Sequence, residues 1–265
     1  IDKQIVPMTL VKAEGDFVEE KRRVPTFIAE KVVPLGGETL NEVKMLALDI
    51  ETYAKEKIVD MEKNPILMIA LYGYYRGKEL KKVITWKKFS TDSLDIEFVE
   101  SERALLERCR EVIYHYQPDI LTGYYSDGFD LPYLSTRARK YGLTFDLGWD
   151  YSSLVVGQKE SKITGLVHVD IFKFVRTILW RGLQTSVYTL DAVANELLGF
   201  GKYAVDLNRL ADVWDTGSDE LQVFCHYNLQ DAYATFKLAE KLLFDMVEFS
   251  KLVGIPLFGV TRMSF

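Results

Sequence analysis

Three apolar segments in the first third of the chain are separated by short polar links and predict neighbouring β-strands. Residues 43–50, 66–75 and 80–86 are rich in aliphatic and aromatic side chains, and the first segment is almost continuously apolar. Such a run is typical of a central strand that is covered on both faces. The link around Gly77 is a turn signal, so the short connections favour antiparallel pairing among the three strands.

A helical pattern replaces the strands after residue 100. Ser101 offers an N-cap and Glu102 adds negative charge to the first turn, ahead of apolar residues at helical spacing. Pro118 cannot continue a helix and therefore marks its end. The pattern then predicts a short strand at 119–123, which ends in a glycine-containing loop, and a helix over 131–141.

The second half of the chain is mostly helical. Residues 143–165 are polar and irregular and predict a hairpin, residues 166–172 predict one more strand, and helical spacing dominates from 190 to 249. The last and longest helix is expected to start at Ser218. Three strands, then helix, strand, helix, strand and further helices are typical of an α/β fold of the ribonuclease H-like class, a mixed sheet with helices on both faces.

Length and composition fit one globular domain with an appendage. The 265 residues are 48% hydrophobic and 27% charged, and no apolar run approaches the roughly 18 residues of a membrane-spanning helix. We interpret residues 1–42, which end in a glycine-rich break, as an N-terminal arm or linker, the remnant of a longer N-terminal region. Residues 43–265 then form the main domain. The chain begins at Ile1 rather than Met, which we interpret as the sign of a fragment.

Charge and cysteine content limit the possible functions. Thirty-three basic residues against 39 acidic ones give a net charge of −6, so the chain has no overall positive field that attracts nucleic acid. Any nucleic-acid contact is therefore expected to be local or to come from elsewhere in a larger protein. Cys109 and Cys225 lie far apart in predicted helices without CxxC spacing, and we expect buried thiols in a reducing cytoplasm rather than a disulfide or a zinc pair.

Two acidic side chains end the most apolar strand. Asp49 and Glu51 are two residues apart, so they point to one face of the strand while Ile50 points to the other. Two carboxylates on one side of a core strand are costly unless something compensates for them, and a divalent cation would do so. The alternative is that the strand ends here and that both acids are solvated.

Two later segments carry further acids. Asp130 follows the predicted strand at 119–123, where an α/β sheet places its ligands, although an N-cap role is the alternative. Tyr227 and Asp231 are four residues apart and therefore share one face of the long helix. His226, five residues before Asp231, is the alternative to Tyr227 as the partner of that acid. Because a helix turns by 100° per residue, Tyr227 lies closer to the face of Asp231 than His226 does.

The four acids occur in the order of a known nuclease pattern, DEDD, with Asp49 and Glu51 first, Asp130 second and Asp231 with Tyr227 third. The sequence resembles the 3′–5′ proofreading exonuclease domain of archaeal-type B-family DNA polymerases, the DEDDy family, over residues 43–265. The matching segments are LALDIETY (46–53), VITWKKF (83–89), PDILTGYYSDGFDLPYL (118–134), HVDIF (168–172), YTLDAVANELLG (188–199), YNLQDAYAT (227–235) and LVGIPLFGVTR (252–262).

The resemblance implies a metal-dependent 3′–5′ exodeoxyribonuclease that acts on single-stranded or frayed 3′ ends of DNA, releases nucleoside monophosphates and has the remainder of the polymerase as its partner. It implies that Asp49, Glu51 and Asp231 hold one metal ion. Asp49, with Asp130 nearby, would serve a second, and Tyr227 would orient the attacking water or the phosphate. Two ions about 4 Å apart stabilise the attacking and the leaving oxygen at phosphorus. An all-oxygen ligand set suits Mg²⁺ or Mn²⁺.

The second motif departs from the family pattern. Tyr125 stands where the family carries Asn five residues before its Asp, and Ser126 could supply a small polar group instead. Phe129 corresponds to an aromatic residue near the frayed terminal bases, although a core phenylalanine is an equal alternative. The departure leaves open a catalytically impaired domain that binds DNA or braces the polymerase. A free-standing nuclease that trims RNA is a further alternative.

Overall fold

The computed structural model describes residues 5–35, 43–55, 59–201 and 205–263. In these residues the strands are β1 Val11–Val18, β2 Thr26–Pro34, β3 Met45–Thr52, β4 Ile66–Tyr75, β5 Lys78–Thr85, β6 Ile96–Phe98, β7 Ile120–Gly123, β8 Val155–Val156, β9 Ser161–Lys162 and β10 Val167–Asp170. The helices are α1 Glu102–Tyr116, α2 Asp130–Lys140, α3 Ile171–Phe174, α4 Leu190–Leu198, α5 Leu210–Thr216, α6 Leu221–Val253 and α7 Leu257–Val260. A π-helical segment, Val175–Leu179, follows α3, and a 3₁₀ turn, Leu207–Arg209, precedes α5.

Six strands form the central sheet in the order β10-β7-β3-β4-β5-β6. β3, β4 and β5 pair antiparallel, as their short links predict. β7 runs parallel to β3 and to β10, and each of these connections crosses through a helix. The carboxyl ends of β3, β7 and β10 therefore meet at one end of the sheet, which is where α/β sheets place their ligands.

The two faces of the sheet pack against different helices. Along β3, Met45 and Ala47 belong to the core cluster that contains the buried residues of α6. The alternating residues Leu46, Leu48 and Ile50 belong to the cluster with α1 and α2. Because side chains alternate along a strand, the next two odd-numbered residues of β3, which are both acidic, lie on the α6 face.

Most element boundaries agree with the sequence pattern, and two differ. The Ser101 hydroxyl accepts a hydrogen bond from the Ala104 amide, which confirms the predicted N-cap of α1. The strand expected over 166–172 ends earlier, because the Asp170 side chain caps a helix that already contains the last two residues of that segment. The long helix starts at Leu221 rather than at Ser218. The hairpin expected in 143–165 is present as the short antiparallel pair β8–β9.

The N-terminal arm forms a separate antiparallel hairpin of β1 and β2. It contacts the main body through Arg23, whose guanidinium pairs with the Asp146 carboxylate and stacks on the rings of Tyr114 and Tyr151. The predicted boundary between arm and main domain falls at residues 36–42, which lie outside the described residues. The division into residues 1–42 and 43–265 therefore stays a prediction.

One buried ion pair connects both helices of the α1/α2 face. Glu102 and Arg137 are each 2% exposed at their side chains, and Arg137 donates two hydrogen bonds to the two carboxylate oxygens of Glu102. The Ile66 amide and the Tyr141 hydroxyl also donate to that carboxylate. Glu102 therefore lies in the first turn of α1, as predicted, and its side chain is paired with Arg137 in the interior instead of being solvated.

The cysteines agree with the sequence analysis. Cys109 and Cys225 are both buried and free. Burial raises the pKa of each thiol to about 12, so both stay protonated at neutral pH. Among the described helices, none combines the length and the apolar character that a membrane crossing requires.

Candidate metal centre

The first part of the site is the carboxyl end of the central strand. Asp49 and Glu51 lie near the end of β3 on the face covered by α6, and both are partly buried, while Ile50 between them is buried on the opposite face. The expected alternation is therefore present. It turns two carboxylates towards a helix instead of towards open solvent.

Helix α6 supplies the second part of the site. Asp231 is 7% exposed, and Asn228, one turn earlier, is fully buried. The Asn228 amide nitrogen donates a hydrogen bond to Asp49 Oδ2 at 2.7 Å, so the helix and the strand are joined directly at the site. Sequence analysis did not identify Asn228. Its position between Tyr227 and Asp231 was the available signal, but only the packing of α6 on β3 shows its contact.

Three carboxylates converge where the strand meets the helix. One oxygen from each of Asp49, Glu51 and Asp231 lies within 4.8 Å of the other two. Two cis or trans ligands of a hard cation with metal–oxygen distances of about 2.0–2.6 Å are separated by about 3–5 Å. The oxygens are thus close enough to share one cation. This proximity argues against the alternative of two independently solvated acids at the end of a strand.

Asp130 is the fourth predicted acid and occupies a more buried position beside the cluster. It is 3% exposed, and its Oδ1 accepts a hydrogen bond of 3.2 Å from the Ile50 amide. The N-cap alternative is wrong, because Asp130 is the first residue of α2 and Phe129 occupies the cap position. The pKa of Asp130 is raised to about 7, mainly by burial and further by the charges of Asp170 and Asp231, while the Ile50 hydrogen bond opposes the rise.

This raised pKa predicts a pH-dependent stability of the metal-free chain. The pKa of Asp130 exceeds its ordinary value of 3.8, so between about pH 4 and pH 7 the folded state binds more protons than the unfolded state. The protonated Asp130 side chain therefore stabilises the folded state at low pH. This contribution decreases as the pH rises from about 4 and is lost once the pH exceeds about 7. We expect Asp130→Asn to raise the melting temperature in EDTA at about pH 8 and to change it much less at about pH 5.

Thermal melting by circular dichroism at both pH values measures this effect. Asp245→Asn, on the exposed surface of α6, is the control and should shift the melting temperature equally little at both. If the rise in melting temperature caused by Asp130→Asn does not increase with pH, the carboxyl group of Asp130 is not a buried group that titrates in this range.

Tyr227 and His226 occupy different environments on α6. Tyr227 is half-buried, one turn before Asp231, whereas His226 is exposed and its Nε2 lies 3.3 Å from the Gln222 side-chain nitrogen. Both residues line a cavity of about 630 Å³ between α6 and the β4–β5 face. The other two histidines lie where the sequence suggests, His115 at the surface and His168 in the interior.

The loop before α2 holds the three residues that were predicted to bind substrate. Tyr125 is 49% exposed and adopts a left-handed backbone conformation with φ of 65°. Phe129 is partly buried against the α1/α2 core and packs on the Tyr133 ring at a centroid distance of 5.3 Å. Ser126 is 2% exposed, and its hydroxyl bonds to His168 Nε2. A DNA strand could reach the Ser126 hydroxyl only by displacing its hydrogen bond to His168, which argues against the expected substrate contact of that hydroxyl.

A buried polar network fixes the same loop. Asp127 accepts hydrogen bonds from the Ser161 amide, Lys173 Nζ and Arg262 Nε. Ser126, His168 and Asp127 adjoin one another, but this arrangement does not form a hydrolytic triad. His168 Nδ1 lies 2.8 Å from the Arg262 guanidinium, 3.3 Å from Asp127 Oδ1 and 3.3 Å from the Ser161 carbonyl oxygen, so it has a donor and two acceptors around it. A nucleophilic serine must be open to its substrate, whereas Ser126 is buried.

The chain is similar in sequence and in structure to known proteins. The family described as DNA polymerase family B, exonuclease domain, matches residues 1–193. The DNA polymerase of Pyrococcus glycovorans is 36% identical over 241 residues, which are 89% of this chain and 29% of that protein. The DNA polymerase of Thermococcus kodakarensis is 33% identical over 241 residues, which are 89% of this chain and 14% of that protein. The structure of the family B DNA polymerase from the hyperthermophilic archaeon Pyrobaculum calidifontis is similar with a TM-score of 0.83 and 23% identity, over 99% of this chain and 33% of that one.

The sheet order and the acidic cluster define an α/β domain of the ribonuclease H-like class, and the likeness to the Pyrobaculum calidifontis structure confirms the predicted fold. The chain belongs to the exonuclease domain family of family B DNA polymerases. The predicted resemblance is thereby confirmed, and the matched range begins at residue 1, so it also includes the N-terminal hairpin. The chain spans less than a third of the length of the two curated relatives.

Proposed function

We propose that the chain is the 3′–5′ exodeoxyribonuclease of a family B DNA polymerase and that it removes nucleotides from single-stranded or frayed 3′ ends during proofreading. The observation that carries the proposal is the approach of the Asp49, Glu51 and Asp231 carboxylates to within 4.8 Å of one another. Like charges so close repel unless cations or protons neutralise them. Membership of the exonuclease family supports catalysis as the purpose of the cluster.

The donor set fits hard divalent cations. Asp49, Glu51 and Asp231 would hold one ion, and Asp49 with Asp130 would serve a second. Carboxylate oxygens without thiol or imidazole ligands suit Mg²⁺ or Mn²⁺ better than zinc. When bound, such a pair of ions supplies charge neutralisation at the attacking and leaving oxygens and lowers the pKa of water.

The chain's own groups position the reactants. Tyr227 is proposed to orient the attacking water or the scissile phosphate through its hydroxyl, because it lies one turn from Asp231 on the same helix. Water loses a proton to the solvent and its oxygen bonds to phosphorus, while the bond from phosphorus to the preceding 3′ oxygen breaks and that oxygen takes a proton from the solvent. A nucleoside 5′-monophosphate leaves, and a shortened strand with a 3′ hydroxyl remains. Phe129 is proposed to contact the terminal base, and Tyr125 the strand that leads to it.

The direct test is a time course with a 5′-labelled single-stranded oligodeoxynucleotide in Mg²⁺. We expect a ladder of products that shorten one nucleotide at a time from the 3′ end, and no shortening in EDTA. The released product should be a nucleoside 5′-monophosphate. Absence of shortening in both Mg²⁺ and Mn²⁺ would reject the proposal, and faster shortening of a labelled RNA of the same sequence would reject the preference for DNA.

Asn228 predicts a second, smaller effect on activity. Its amide holds Asp49 Oδ2 at 2.7 Å, and partners that orient metal ligands typically contribute about 10- to 100-fold to metal affinity or activity. We expect Asn228→Leu, which is similar in size, to raise the Mn²⁺ concentration required for half-maximal rate by about tenfold or more. Gln222→Leu on the same helix is the control. A change in the maximal rate with no change in the Mn²⁺ requirement would contradict a role in positioning Asp49.

The partners and the location follow from the same proposal. The remainder of a DNA polymerase is the proposed protein partner, since the chain covers 29% of its Pyrococcus glycovorans relative. The second partner is the 3′ end of DNA. We propose the cytoplasm as the place of action, because both cysteines are free thiols.

A further inference from the structure

An exposed tyrosine is held in an unusual conformation in the loop that leads to Asp130. Tyr125 has a φ of 65°, which non-glycine residues adopt sparsely and which Asn tolerates far better than aromatic residues. The strain is compensated, because its amide donates to Asp170 Oδ1 and its carbonyl accepts from the amides of Gly128 and Phe129. Strained residues that the surrounding structure holds in place concentrate at functional sites.

The ring of Tyr125 is fixed from two sides and open elsewhere. It lies directly on the backbone of Gly128, where an added Cβ would come within 2.3 Å of the ring. Its edge meets the Phe172 ring at a centroid distance of 5.2 Å and an angle of 83°. Even so, 49% of the residue stays accessible. Such a ring offers a preformed surface for stacking at little further cost in side-chain entropy.

The space beside this ring is positively charged. Tyr125 and Phe172 line a cavity of about 680 Å³ together with four basic side chains, Lys159, Lys173, Arg176 and Arg262, and two acidic ones, Asp127 and Glu160. Lys173 and Arg262 are paired with Asp127, whereas Arg176 is exposed and lies 5.9 Å from the Phe172 ring. A net positive pocket in a chain of net charge −6 is a local field of the kind that a nucleic-acid backbone requires.

We propose that Tyr125 and Phe172 form a base-stacking subsite for a nucleotide upstream of the 3′ terminus, with the phosphates beside Arg176 and Lys159. Aromatic rings flanked by cations bind single strands without sequence preference, because every base has a flat face. The inference rests on the proposed nuclease function for its substrate. It adds that this chain uses stacking at the position where its family carries an asparagine amide.

The experiment measures binding without cleavage. Fluorescence anisotropy in EDTA gives the Kd of the full chain for a 5′-fluorescein single-stranded 12-mer. We expect Tyr125→Ala and Tyr125→Asn to weaken binding about tenfold and Tyr125→Phe to change it less than about twofold. Tyr125→Asn keeps the fold testable because Asn tolerates this backbone conformation. Tyr74→Ala, at a tyrosine of equal exposure (48%) near the end of β4, should leave binding unchanged.

A series of oligonucleotides with one abasic position identifies the stacked base. At one position near the 3′ end, the ratio of the Kd values of Tyr125→Ala and the unsubstituted chain should fall to about one, because no base is left to stack. Unchanged binding by Tyr125→Asn, or a ratio that is the same at every abasic position, would overturn the subsite. Shortening in Mg²⁺ is scored separately. Binding with this pattern but without any shortening of the DNA strand would support the subsite and reject the nuclease proposal. Shortening of the strand without this binding pattern would support the nuclease proposal and reject the subsite.

Discussion

Asp231→Asn is expected to lower the rate of 3′-end shortening by about a thousandfold or more. The substitution keeps the size of the side chain and removes one of the three anionic oxygens that lie within 4.8 Å of one another. Stabilisation of transition-state charge by bound metal is typically worth several kcal/mol, and each 1.4 kcal/mol is about tenfold in rate. The measurement is the initial rate on a 5′-labelled oligodeoxynucleotide at saturating Mg²⁺.

The matched control lies on the same helix. Asp245→Asn makes the same chemical change at an exposed position of α6, and it should leave the rate within about twofold of the unsubstituted chain. Both variants should melt cooperatively, because neither removes a buried apolar group. If Asp231→Asn and Asp245→Asn retain equal activity, the acidic cluster is not the reaction centre.

Arg137→Met is expected to reduce the free energy of unfolding by about 3–5 kcal/mol. The substitution leaves the Glu102 carboxylate, whose side chain is 2% exposed, without its charged partner in the core. Removing one member of a buried ion pair has this cost, because the remaining charge stays desolvated. Urea unfolding followed by circular dichroism measures the change, and the slope against urea concentration should stay constant if the native and unfolded states are otherwise unchanged.

Arg139→Met tests the same substitution on the surface two residues later. Arg139 pairs with Glu62, but the two side chains are 73% and 60% exposed, so the loss should stay within about 0.5 kcal/mol. The double variant Glu102→Gln with Arg137→Met should recover part of the stability, since no buried charge remains. Equal costs at residues 137 and 139 would show that the buried pair contributes no more than a surface pair.

The strands and helices follow from local patterns, because each carries its own signal. The apolar runs of β3, β4 and β5 and the short links between them predict antiparallel neighbours, and the Ser101 cap predicts the start of α1. Local patterns were insufficient where a residue serves a tertiary contact. Glu102 has the position of a first-turn charge in sequence, yet it bonds to Arg137, 35 residues away in the chain.

The acidic residues of the site could be predicted from the sequence, but the side chains that contact them could not. The alternation of Asp49 and Glu51 along a strand is a local property, so their shared face could be derived from sequence. The hydrogen bond from Asn228 to Asp49 joins residues 179 positions apart, and only the packing of α6 against β3 brings them together. The environment of Tyr125 likewise depends on Phe172 in the segment after β10.

Asp49, Glu51 and Asp231 are proposed to share a divalent cation. A crystal of the chain soaked in Mn²⁺ tests this proposal most directly, through the anomalous signal of manganese. We predict a peak bonded to oxygens of all three carboxylates, with a second ion reached from Asp49 and Asp130. Manganese bound elsewhere while these three carboxylates hold no ion would contradict the account.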